Sequence, residues 1–188
     1  KGSIKFSEGF TDLSIYSNLN ENIEIETSED STLTVFTEID GLTINGGGNS
    51  LNITTLSLGD IIVTNNSGIT LSAAKAEESI NLVSNGAVTV SNAASLTGNI
   101  DISAIGKIDL QNTNSASGKL ELENLRATSG TDISVSHPNL FKSVDIKSAG
   151  AVTANLNSGF KNADTISITV AENSNIHAIS DLAKSVSL

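Results

Sequence analysis

Short pairs of apolar residues, two positions apart, recur along this chain at a nearly constant interval. They start at Ile4, Ile23, Leu42, Ile61, Ile80, Ile100, Leu120, Val144 and Ile166, with partners Phe6, Ile25, Ile44, Val63, Leu82, Ile102, Leu122, Ile146 and Ile168. The intervals are 19, 19, 19, 19, 20, 20, 24 and 22 residues. Apolar residues two apart lie on the same face of a strand, and β-branched types dominate here, so each pair predicts a short half-buried strand.

A second beat follows eight to ten residues after each start: Leu13/Ile15, Leu33/Val35, Leu51/Ile53, Ile69/Leu71, Val88/Val90, Ile108/Leu110, Val152 and Ile176. The coil that starts at Leu120 lacks it and offers Thr128. A weaker third beat falls about sixteen residues in, at Leu19, Ile39, Leu58, Leu96, Phe160 and Leu182, with Ala76 and Ala116 in the same place. Three strands and three corners in about twenty residues are too few for helical repeats, but they suit one turn of a parallel β-helix. The expected fold is all-β: a parallel β-solenoid of about nine coils of 19 to 24 residues, three short strands per coil. It forms one segment over 1–188, with regular coils over 1–119, an irregular coil with a loop over 120–143, and coils over 144–188. In the stretch "LTINGGGNSLNITT", Leu42/Ile44 and Leu51/Ile53 are two sides of one coil and Gly46-Gly47-Gly48-Asn49 is the corner. Gly68, Gly86, Gly106 and Gly150 also fall between first and second beats, where glycine is expected to supply backbone angles other residues resist.

Several units carry a family resemblance. "NIDISAIGKIDLQNTNSASG" (99–118) and "INLVSNGAVTVSNAASLTGN" (80–99) resemble the repeats of filamentous-haemagglutinin-type adhesins. "LTINGGGNSLNI" resembles a coil found across pectate-lyase-like β-helix proteins, and residues 160–188 are similar in texture to bacterial S-layer proteins. The resemblance implies a right-handed β-helix and a secreted structural or adhesive role at a bacterial cell surface. No Gly-Gly-x-Gly-x-Asp nonapeptide occurs, so the repeat-in-toxin type of calcium solenoid is not supported.

Composition trims the function classes. The formal net charge is −11 and residues 1–40 hold nine Asp/Glu against two Lys, so the surface repels nucleic-acid backbones and anionic headgroups. Neither nucleic-acid binding nor membrane insertion is expected. Cysteine is absent, which removes disulfides and thiolate metal sites. The segment reads as excised from a longer chain, and its expected partners are neighbouring coils or domains of that chain, with host-surface, cell-wall or lattice contacts beyond.

No catalytic site or cofactor is expected. Polysaccharide cleavage needs an acid/base pair held at fixed separation, yet Arg126 is the only arginine, and His137 and His177 lie in non-adjacent coils. Most of the five Phe read as core or corner plugs, leaving Tyr16 and Phe10 for a thin sugar-binding surface. The rival reading is a carbohydrate-binding or polysaccharide-processing β-helix, marked by a groove and a cluster of Asp/Glu with Arg or Lys.

Three features invite more. Asp101, Glu121 and Asp145 each take the second position of a coil, which predicts three stacked carboxylates whose repulsion a calcium ion would relieve; the alternative is that they splay into water beside Lys119 and Lys147. The long coil with Arg126, His137 and Pro138, the sole proline, is the expected partner-binding excursion, since rigid scaffolds present contacts on such loops. Ice binding would need a flat array of outward Thr. The outward first-strand positions Lys5, Glu24, Thr43, Ile62, Asn81, Asp101, Glu121 and Asp145 are too mixed for it.

Overall fold

A computed structural model describes residues 3–7, 11–16, 19–48, 50–57, 59–76, 79–91, 94–95, 99–111, 121–136, 140–155, 165–171, 175–177 and 185–187. Every described element is a strand, and all their pairings are parallel. The chain is a parallel β-solenoid, as its apolar spacing requires.

The first face is one continuous ladder. Ile4 pairs with Ile23, Ile23 with Leu42, Leu42 with Ile61, Ile61 with Ile80, and Ile80 with Ile100. It continues through Leu125, Val144, Ile166 and Val186. Between the fully buried rungs at Ile23 and Val144 the chain makes about six turns, fewer than the nine coils read from the periodicity, and rungs described in part continue the ladder at both ends. The second face runs in parallel from Leu13 through Leu33, Ile53, Leu71, Val90, Leu110, Val135 and Ala154 to Ile176. A shorter third side links Leu19, Ile39, Ser57, Ala76 and Ser95; Leu58, Leu96, Ala116, Phe160 and Leu182 lie outside the described residues.

The inward side chains form one stacked aliphatic column. Ile61, Val63, Ile80, Leu82, Val88 and Val90 are fully buried. Each such side chain removed from water contributes roughly 1.5–3 kcal/mol, and each is covered by its equivalents in the coils on either side. Phe6 packs partly buried against this column, while Tyr16 stands exposed.

One coil departs from the expected register. Ile100 pairs with Leu125, and Leu125 with Val144, so the intervals there are 25 and 19 residues, where 20 and 24 were expected. Leu122 pairs instead with Phe141 ahead of the first-face residues. The missing second beat is Ile133/Val135, hydrogen-bonded between Ile108/Leu110 and Val152/Ala154. Residues 125–129 and 133–136 therefore hold regular ladder positions inside the stretch 120–143 read as an irregular coil, and residues 137–139 of that stretch lie outside the described residues. The coil's extra residues fall earlier: fifteen positions separate Leu110 from Leu125, against ten between Val90 and Ile100.

The corner between the first and second faces is built from a polar inward column. Successive coils place Thr27, Gly46, Asn65, Ser84, Ala104, Ser129 and Ser148 in register there. Ser129 shows how the corner is held: its hydroxyl donates to the Gly106 carbonyl at 2.8 Å, and it accepts from the Thr131 amide at 3.0 Å. The Ser84 hydroxyl donates likewise to the Ser67 carbonyl while accepting from Gly86 N–H, and Ser148 does so between the Thr131 carbonyl and Gly150 N–H. Buried corner amides and carbonyls thus find partners within the stack.

Glycine at these corners answers a steric demand. None of Gly48, Gly86, Gly106 and Gly150 has left-handed φ, which corrects the conformational reason expected from sequence. A Cβ on Gly86 would lie 2.6 Å from the Ser67 carbonyl carbon, and one on Gly106 would lie 2.7 Å from the Ala87 nitrogen. The corners of adjacent coils touch backbone to backbone.

Candidate functional site

The outward residues of the first face form two columns. One runs Lys5, Glu24, Thr43, Ile62, Asn81, Asp101, Arg126, Asp145 and Ser167. The register that moves Leu125 onto the core ladder also moves Arg126 between Asp101 and Asp145. The expected carboxylate stack is therefore not formed, because Glu121 pairs with Leu140. Arg126 Nη1 lies 3.6 Å from Asp101 Oδ2 and its Nε lies 3.9 Å from Asp145 Oδ2, with Lys147 Nζ donating to the same oxygen at 3.1 Å.

This is a sequence of alternating charge across three coils. A guanidinium supplies the relief that a cation was invoked for, since it is permanently charged and offers several donors to flanking carboxylates. Among the described residues no group of three or more His, Asp or Glu is gathered as metal ligands would be. Arg126, expected on an excursion, stands on a strand and is exposed. His137 and Pro138 lie outside the described residues. His177 pairs in the second-face ladder with Asn155.

The other charged group sits at the acidic end. Lys5 Nζ donates to Glu26 Oε1 at 2.8 Å, a diagonal pairing beside Glu24, its direct register partner. Beside it an open groove of about 470 Å³ is lined by Ser7, Glu26, Ser28, Asn45, Gly46 and Gly47. Lys5 stands outside that lining and meets it only through Glu26. The hydrogen bond and charge of Glu26, with a smaller contribution from Glu24, raise the Lys5 pKa above 10.5. A lysine base at neutral pH needs the opposite shift, and Glu26 commits its carboxylate to the ammonium. The two residues form an ion pair that ties two coils together.

The second face carries what the sequence reading passed over. Its outward columns hold Thr32, Asn52, Thr70 and Thr89, then Thr34, Thr54, Ser72 and Ser91. The signal lies in "TLT", "NIT", "TLS" and "TVS", on second-beat strands, whereas the outward first-strand positions are mixed. No charged residue interrupts these columns between Asp12 and Asp109.

No family model matches this chain, and neither a curated protein nor a solved structure matches it significantly.

Proposed function

We propose that this chain is a non-catalytic structural or adhesive module of a large secreted bacterial surface protein, of the adhesin or S-layer kind. The observation that carries the reading is the unbroken first-face ladder from Ile4 to Val186. A column in which each layer covers its neighbour's apolar interior resists bending, and quasi-one-dimensional stacks of this type serve as spacers and as display surfaces. The two charged groups support it too, because each links adjacent coils through ion pairs and neither presents an acid/base pair to a substrate.

The test is location. Gold-labelled antibodies raised against the segment should decorate intact, unpermeabilised source cells. Labelling that appears only after permeabilisation overturns the proposal. Single-molecule extension should show the segment yielding in small steps of one coil at a time.

A further inference from the structure

Among the described residues, the second face carries chemistry that the structural role leaves unused. Its outward residues from Thr32 to Ser91 bear hydroxyls at every position except Asn52, and four successive coils hold them in register through Ser31–Thr34, Leu51–Thr54, Ile69–Ser72 and Val88–Ser91. The register does not slip within these stretches. Neighbouring strands stand about 4.8 Å apart and same-face residues along a strand about 6.7 Å apart, so the backbone positions that carry these hydroxyls repeat in two dimensions. The side chains are also held: Thr34, Thr54, Thr70, Ser72 and Ser91 are half-buried, and the Thr54 and Ser72 hydroxyls share a 3.2 Å hydrogen bond. Little rotamer freedom remains to be lost on binding.

We infer that this face binds ice. The two backbone spacings are close to the two oxygen repeats on the prism face of hexagonal ice, so the hydroxyls of Thr32, Thr70 and Thr89 can take lattice positions while threonine methyl groups order the water between them. The charge distribution points the same way. A full charge holds its own hydration shell and disturbs an ice-like layer, and this patch lies between Asp12 and Asp109 with none inside it, whereas the first face carries Lys5, Glu24, Glu26, Asp101, Arg126, Asp145 and Lys147. An organic polymer would be met by a groove or an aromatic platform, and the groove described above lies along Glu26 and Asn45 on the first face.

The experiment is ice growth in solutions of the purified chain, read as crystal shape and as the gap between melting and freezing temperatures. The unmodified chain should facet the crystals and open a measurable gap. Thr70→Lys, at the centre of the patch, should abolish both effects, while Asn81→Lys on the first face should retain them, with circular dichroism confirming both folds. If Thr70→Lys does not fold, Thr89→Lys at the same face decides. Rounded crystals and no gap with the unmodified chain overturn the inference, as does equal loss in Thr70→Lys and Asn81→Lys. Retention on microcrystalline cellulose or chitin without an effect on ice also overturns it, in favour of a polysaccharide face. The readout involves no cell, so its failure leaves the structural role standing.

Discussion

Asn65 occupies, from one coil further on, the space that a side chain on Gly46 would fill. The two are register partners in the buried corner column, and a Cβ on Gly46 would stand 2.5 Å from Asn65 Oδ1. Asn65 is only 2% exposed and cannot swing aside freely, because its Nδ2 donates to the Gly68 carbonyl at 2.7 Å. Gly46→Ala should therefore destabilise the chain by about 1–3 kcal/mol, read as a lower denaturant midpoint. Gly48→Ala should cost more, because its Cβ would meet the Glu29 carbonyl oxygen at 2.3 Å, and backbone cannot rotate away. Pairing Gly46→Ala with Asn65→Ala should recover part of the loss, whereas Asn65→Ala should not help Gly48→Ala.

Thr55 offers the reverse case. It is fully buried and its hydroxyl has no hydrogen-bond partner. A buried hydroxyl left unpaired keeps its desolvation cost with nothing to offset it, so replacing it with a methyl of the same shape removes that cost. Thr55→Val should raise stability by about 1 kcal/mol, seen as a higher melting temperature with an unchanged spectrum.

The residues that the sequence made legible are those whose own chemistry announces burial. Ile61, Ile80 and Ile100 are β-branched, evenly spaced and stacked as read. The reading slips where a rung is weak in sequence: Leu125/Ala127 is half alanine, so the stronger-looking Leu120/Leu122 takes its place, and every outward residue of that coil moves with it. That slip puts Glu121 where Arg126 stands, and turns a salt-bridged ladder into an imagined cation site. Hydrophobic periodicity fixes which faces are inward but not where a coil with extra residues inserts them, since loop length is nearly silent in free energy. The glycine corners were legible as corners. Their reason was not, because the clash that excludes a Cβ comes from backbone nineteen or twenty residues away.

Lys5 gives a pH dependence whose sign follows from its neighbour. Glu26 raises its folded pKa above 10.5 through the hydrogen bond and its charge, so the folded state holds the proton more tightly than the unfolded chain. The resulting stabilisation is fully present below 10.5 and fades as pH rises through the higher folded value. The side chain is exposed, so the effect on stability is small. It is best read directly: a side-chain NMR titration should place Lys5 above 10.5, and Glu26→Gln should bring it back toward that value.

Arg126 separates the observed charge ladder from the carboxylate stack that the sequence predicted. Removing it as Arg126→Ala should cost at most about 1 kcal/mol, and less at high salt, since exposed pairs are screened. Arg126→Glu goes further, because it builds the carboxylate stack that the register withholds, setting a third carboxylate between those of Asp101 and Asp145 at strand spacing. Like charges in directly opposed positions repel, so this variant should be less stable than Arg126→Ala at low salt. Hard divalent cations take carboxylate oxygens from several directions at once, so millimolar calcium should restore the melting temperature of Arg126→Glu. Sodium at the same ionic strength should restore it far less. The unmodified chain, with a guanidinium already between Asp101 and Asp145, should give the same melting temperature with and without calcium. A calcium-dependent rise in the unmodified chain would show that the charge ladder is not what these three coils form in solution.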